Sequence, residues 1–519
     1  MLLLLIAHTR DFFRFLEKRM GRPFVYLVLI AVLGPTLAYA NQAALDVAAP
    51  FEIKSADPVL SGDIFQKMDV METLVDADTS GRLRPGLSDR WSVSPDKLIW
   101  RFHIRPNTRF HDGTVLTAAA AANALNWSRD KKSILTRAPI STIAAEGNEV
   151  VITLTSPFAA LPAFLAEYRT GILAPAAYAA DGSVKAVIGT GAFKVTKLEP
   201  PLTLKAERFD GYWGGAAKLP AVNYTSVTRA ETRALMAESG DAELVVNLDP
   251  ASVTRLQSVN RVTLESVSLP RVMILKLNIG SVFFDSVEER QALSLAIDRA
   301  GLAQAILRYR AAASQMFPAT MSGWHNPGLK PLAYDVAAAK AAFAAAGWKP
   351  GADGILQKDG KRFAVELLTY PDRPELPLTA AVLEQLLRDV GIATTINSTN
   401  SSEIPAKHAA GTLEMGLLAR NFALVPDPVG TLMQDYAPSG DWGAMGWNNP
   451  EFTAAVKKLA AEGGTDAEKS ALAATLQAEL PVLPIAWYQQ SAAIAKTVRG
   501  VVIDPYERSF GLKSADFIK

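Results

Sequence analysis

An α/β fold spread over more than one domain is what this sequence predicts, and three observations carry the prediction. The chain has 519 residues, more than a single core ordinarily organises, so about two to four domains are expected. Its composition is globular, with 49% hydrophobic and 20% charged residues, enough apolar material for sizeable cores. Short β-branched runs alternate with amphipathic helices. The clearest case is residues 363–396, which read strand, helix, strand, as in a lobe with a mainly parallel sheet.

The N-terminal forty residues stand apart from that fold. Met1–Ala7 is apolar but too short to span a bilayer. The second apolar stretch follows Arg22, runs over Phe24–Leu33 and breaks at Gly34–Pro35. Ala38–Tyr39–Ala40 then satisfies the small-x-small rule for signal cleavage. The pattern predicts export to the periplasm through a signal peptide cleaved after Ala40. Met1 and Met20 both stay open as the start.

Along the remaining chain, Val150–Leu154 and Arg271–Leu277 read as strands, being short, apolar or β-branched and bounded by polar residues or Pro. Val287–Ala305 reads as one amphipathic helix, with Leu293, Ala296, Ile297 and Leu302 at helical spacing. Asp335–Gly347 reads as a second, capped by Asp335 and closed by Gly347. Leu378–Val390 is a third, stopped by Gly391. The Ala-rich runs Thr117–Ala124 and Ala337–Ala346 fit close-packed helices.

Composition excludes several functions. Lys plus Arg is 53 against 52 Asp plus Glu, which gives no electrostatic case for nucleic acid or an anionic membrane surface. The chain has no cysteine, so disulfides, thiolate metal sites, cysteine nucleophiles and lipid attachment through cysteine are all excluded. The five histidines, His8, His103, His111, His325 and His408, form no metal-binding spacing. No G-x-S-x-G elbow is present. No catalytic residue, metal site or cofactor is therefore assigned. A secreted hydrolase using a pair of carboxylates stays open as a remote alternative.

A series of segments in order carries a resemblance. They are METLVDADTSGRLRPGLSDRW (Met71–Trp91), WRFHIRPNTRFHDG (Trp100–Gly113), IGTGAF (Ile188–Phe193), RFDGYW (Arg208–Trp213), RQALSLAID (Arg290–Asp298), LLRDVGI (Leu386–Ile392), WNNPEF (Trp447–Phe452) and LPIAWY (Leu483–Tyr488). Together they resemble the periplasmic solute-binding proteins for oligopeptides, dipeptides and nickel, extracellular solute-binding family 5, over nearly all of residues 50–510. The resemblance implies an α/β, two-lobed periplasmic binding protein fold of type II, in the large peptide/nickel-binding class, with an extra subdomain inserted in the first lobe. It places residues 41–75, 188–270 and 481–519 in the first lobe, 76–187 in the inserted subdomain and 271–480 in the second lobe. It also implies a monomer that is not an enzyme and hands a small ligand to an ABC permease and ATPase complex. A sensor or co-receptor role would use the same lobes.

Four residues are candidate ligand contacts: Arg169, Arg420, Trp447 and Tyr488. By resemblance to nickel- and metallophore-type members, Arg169 faces the cleft and pairs with a ligand carboxylate, a task suited to a bidentate guanidinium. A surface or ion-paired role for Arg169 stays equally open. Arg420 is a further cleft cation, and Trp447 and Tyr488 are expected as aromatic walls. Asp427–Pro428 anchors the segment LARNFALVPDPVG to the family. Peptide-binding members carry an acid three positions before that Asp, where this chain has Leu424. An apolar side chain cannot offset a buried ammonium. Val429 stands where nickel-type members can carry a His. The segment YPDRPELP (Tyr370–Pro377) resembles the metal-chelate branch, and its Arg373 is either a second anion contact or an exposed loop residue. The ligand expected is a metal chelate, with short peptides, opines or other polar solutes as alternatives.

Overall fold

The computed structural model describes residues 44–518 apart from 132, 372, 423, 424, 438, 439 and 441. The signal segment lies outside the described residues. Among those described, no helix is long and apolar enough to cross a membrane.

Fourteen strands position the site. They are β1 (Leu45–Ala49), β2 (Ser88–Val93), β3 (Ile99–Ile104), β4 (Ile140–Glu146), β5 (Glu149–Leu154), β6 (Phe193–Glu199), β7 (Thr203–Arg208), β8 (Ala221–Ser226), β9 (Leu244–Val246), β10 (Val262–Leu277), β11 (Ala364–Thr369), β12 (Ala393–Ser398), β13 (Met415–Asn421) and β14 (Val482–Ala495). Ten of them form one sheet in the order β12-β11-β13-β10-β14-β9-β1-β8-β7-β6. The other four make a separate antiparallel sheet, β2-β3-β5-β4, covered by helix α2, whose first turn is capped by Thr117.

The helices are α1 (Pro58–Lys67), α2 (Ala118–Asp130), α3 (Val287–Leu295), α4 (Val336–Ala345), α5 (Glu375–Asp389), α6 (Val429–Tyr436), α7 (Pro450–Glu462) and α8 (Asp466–Glu479). Asp335 caps α4 through Ala338 N at 2.9 Å, and Gly347 and Gly391 end α4 and α5 with φ of +92° and +87°. Only glycine takes those angles without strain.

The expected helix Val287–Ala305 is interrupted. The α3 turn stops at Leu295, and Asp298 caps a new short helix by accepting from Gly301 N at 2.8 Å. The spacing of apolar residues survives the break, which is why periodicity alone does not reveal it.

Two long strands tie the sheet together. β10 pairs antiparallel with β14 from Val262↔Ala495 to Lys276↔Val482, with register shifts between Ser268 and Val272 and between Met273 and Ile274. On one side of this pair lie β13, β11 and β12; on the other lie β9, β1 and β8. β10 is half-exposed up to Val267 and fully buried from Val272 to Leu277. The molecule therefore has two lobes that share a pair of strands, and the irregularity at Ser268–Val272 lies between them.

Candidate functional site

Strand direction locates the cleft. Asn421, the last residue of β13, pairs with Arg271, while Met415 pairs with the far end of β10 at Leu277. β11 and β12 run parallel to β13 and to each other, so all three end at the junction. Across it, Val246 at the end of β9 pairs with Ala492, nearer the junction than the Leu244↔Ile494 pair. β1 and β8 run parallel to β9. Six strands from two lobes thus present their carboxyl ends to one crevice. Open α/β sheets bind ligands at such ends, where loops carry polar groups and connections diverge.

A cavity of about 700 Å³ opens beside the carboxyl end of β13, between residues 134–164 and 420–461. Arg420, Asp427 and Met433 face Arg137, Phe158 and Phe164 across it. The two sides touch at its rim. Ala159 N donates to Ala460 O at 2.7 Å, and Arg137 Nη1 donates to Gln434 Oε1 at 3.1 Å. Asp427 accepts from Val429 N at 2.9 Å at the start of α6, and burial raises its pKa.

Of the four residues expected at the ligand, Arg420 alone lines this cavity. Its guanidinium grips the fully buried Asp435 in two hydrogen bonds, Nη2 to Oδ1 at 3.0 Å and Nε to Oδ2. Trp447 is 5% exposed. Its Nε1 donates to Glu479 Oε2 at 2.7 Å, and its ring packs edge-on against Phe452 at 5.0 Å. Arg169 stays within its own lobe, with Nε 3.0 Å from Glu167 Oε1 and its guanidinium 5.1 Å from the Tyr168 ring centre. Burial pushes the Glu167 carboxyl up to about 7 against the pull of Arg169. Arg169 lines a crevice of only about 10 Å³ with Asp57 and Trp127. Leu424 lies outside the described residues.

Tyr488 sits in a polar cluster at the junction. Its hydroxyl donates to Glu375 Oε1 at 2.8 Å, and burial holds its pKa well above the usual value. The guanidiniums of Arg271 and Arg373 lie 5.9 and 5.5 Å from its ring centre. Arg271 forms an ion pair with Glu507 at 2.8 Å. Arg373 follows the carboxyl end of β11, is half-buried, and forms no ion pair with any described residue. The sequence pattern could name Arg373 through YPDRPELP, but not its neighbours. Arg137, Gln434 and Phe164 carry no local signal, because the fold brings them to the cleft from far along the chain.

Several glycines and tryptophans are structural. Gly189 and Gly191 press on backbone: an added Cβ would lie 2.0 Å from Val70 O and 2.1 Å from Asp69 O. Trp213 Nε1 donates to Glu72 Oε2 at 2.9 Å, and Trp348 Nε1 donates to Glu289 Oε1 at 2.8 Å. Glu72 belongs to a second cavity, of about 640 Å³, which also takes in Asp69, Asp504 and Arg508. His111 is buried with Nε2 3.0 Å from Gly191 O, and burial pushes its pKa down to about 4. Among the described residues, no three His, Cys, Asp or Glu side chains are grouped to hold a metal.

The family model for bacterial extracellular solute-binding proteins, family 5 Middle, matches residues 82–443. The glutathione-binding protein GsiB of Escherichia coli K12 is 25% identical over 408 residues, covering 75% of this chain and 77% of its own. The solved structure of a nickel ABC transporter protein from Bacillus halodurans superposes with a TM-score of 0.80 at 24% identity, covering 90% of this chain and 98% of that one. NikA from Brucella suis, in complex with Fe(III)-EDTA, gives 0.80 at 22% identity, over 92% of this chain and 100% of that one. At these identities the structural likeness is one of fold. The chain belongs to the bacterial extracellular solute-binding proteins of family 5. It is a substrate-binding component of an ABC transporter and not an enzyme.

Proposed function

We propose that the protein captures a small carboxylated solute in the periplasm, first among them a metal chelate, and delivers it as a monomer to an ABC permease and ATPase. The observation that carries this reading is Arg373: a half-buried guanidinium at the carboxyl end of β11, stacked on Tyr488, with no ion pair to a described residue. A planar fork of donors there is preorganised for a carboxylate. Lys457 adds a positive charge to the lining of the cavity beside β13. With no group of three metal-ligating side chains among the described residues, a metal would be held through its chelator. Relatives in this fold are recorded with Ni(L-His)2, Fe(III)-EDTA and agropinic acid.

Glutathione is the second reading, favoured by the likeness to GsiB over 75% of this chain. Leu424 stands against it, since it offers no acid to an α-amine. Thermal unfolding tests both. A ligand at a hundredfold excess over its dissociation constant stabilises the native state by about 2.7 kcal/mol. Nickel–histidine and Fe(III)-EDTA are expected to raise the midpoint, free nickel and neutral sugars to leave it, and Arg373→Gln to abolish the rise. A rise with glutathione alone would replace the chelate reading with the second. A rise with sugars alone would sink both.

A further inference from the structure

We propose that the interlobe cavity selects an amphipathic solute, a carboxylated molecule bearing an apolar arm that packs against Phe158, Phe164 and Met433. The inference rests on the carboxylate reading above and deepens it. At about 700 Å³, the cavity falls in the size class of sites for drug-sized molecules, far beyond what a hydrated ion requires.

Its cations are largely satisfied from within. Arg420 is held in two hydrogen bonds by Asp435, and Arg137 donates to Gln434. What the cavity leaves to a ligand is therefore mainly apolar contact. Phe158 and Phe164 meet edge to face with ring centres 5.0 Å apart, and Val425 adds a methyl surface opposite. Met433 lines the same space and is 36% exposed, although Val429, Leu432 and Tyr436 on its helix are buried. An exposed thioether chain in a crevice adapts readily to an apolar group of irregular shape.

Closure assembles this surface. Phe158 and Phe164 come from one side of the cleft and Val425 and Met433 from the other. The Phe164 ring lies so close to α6 that a Cβ added at Gly430 would stand 3.2 Å from it. An apolar arm between these walls touches both sides only when the lobes are together, so it binds the closed form preferentially and shifts the equilibrium towards it.

Calorimetric titration with two charge-matched pairs tests the proposal: the nickel complexes of N-methyl- and N-benzyliminodiacetate, and glutathione with S-hexylglutathione. In a pair that binds, the apolar member is expected to bind about tenfold tighter or more. That preference is expected to shrink to about threefold or less in Met433→Ser, whose exposed site spares the fold. Equal affinities within the binding pair overturn the proposal, as does a preference that survives both Met433→Ser and Phe158→Ala. Failure of all four probes to bind overturns the carboxylate reading and this inference with it.

Discussion

At the scale of single residues, Glu167 and His111 set opposing responses to acid. Burial raises Glu167 to about 7 and lowers His111 to about 4. Between roughly pH 4.5 and 6.5 the folded state holds a proton on Glu167 that the unfolded state lacks, so this residue makes stability fall as pH rises. In the same window the unfolded state protonates His111 and the folded state does not, so this residue makes stability rise with pH. Each slope is about 1.4 kcal/mol per pH unit, and the two largely cancel. Glu167→Gln is therefore expected to steepen acid destabilisation relative to the parent, and His111→Gln to flatten or reverse it. Urea unfolding midpoints from pH 4.5 to 7 check both, and parallel curves for parent and variants would refute the assignment. Neither response is legible in sequence, because each depends on burial. Arg169 shows the same limit: its motif is readable, but its partner Glu167, two residues away, is fixed only once the turn folds.

At the scale of elements, Gly430 marks how closely α6 approaches the opposite lobe. Its φ is not positive, so the backbone accepts alanine, yet the new methyl would stand 3.2 Å from the Phe164 ring. Gly430→Ala is expected to leave the unfolding midpoint within a few degrees while speeding ligand release about threefold to tenfold, since the wedge acts only on the closed form. Stopped-flow dissociation measures this, and an unchanged rate would mean that Phe164 yields. Local pattern found most elements here. Short apolar or β-branched runs gave β5 and the buried half of β10, and capping residues gave α4 and the end of α5. It could not show that β10 begins nine residues earlier than Arg271, at Val262, because that half is partly exposed and reads as polar surface. Nor could it show the break at Asp298, where apolar spacing continues through the kink. Pairing of strands remote in sequence fixes what pattern leaves open.

At the scale of the whole molecule, strands β10 and β14 run through both lobes, and the ion pair between Arg271 and Glu507 is placed to influence the angle between them. Arg271 lies at the end of the irregular stretch between Ser268 and Val272, just before the buried half of β10. Glu507 belongs to the C-terminal segment, which is fastened to the first lobe by Arg508 on Asp76 and Lys513 N on Asp69. Their side chains are only 16% and 14% exposed, so removing one leaves the other poorly solvated. A fully buried pair broken this way costs about 3–5 kcal/mol, and the residual exposure reduces that to about 1–3 kcal/mol. Part of the strain can be relieved by rotation at the irregular stretch, which lets water reach the orphaned group. Arg271→Met and Glu507→Gln are therefore each expected to enlarge the ligand-free radius of gyration in X-ray scattering. The exchanged pair, Arg271→Glu with Glu507→Arg, is expected to bring it back towards the parent value. A single variant that loses stability at unchanged radius would make the pair a staple of local structure with no hold on the angle between the lobes.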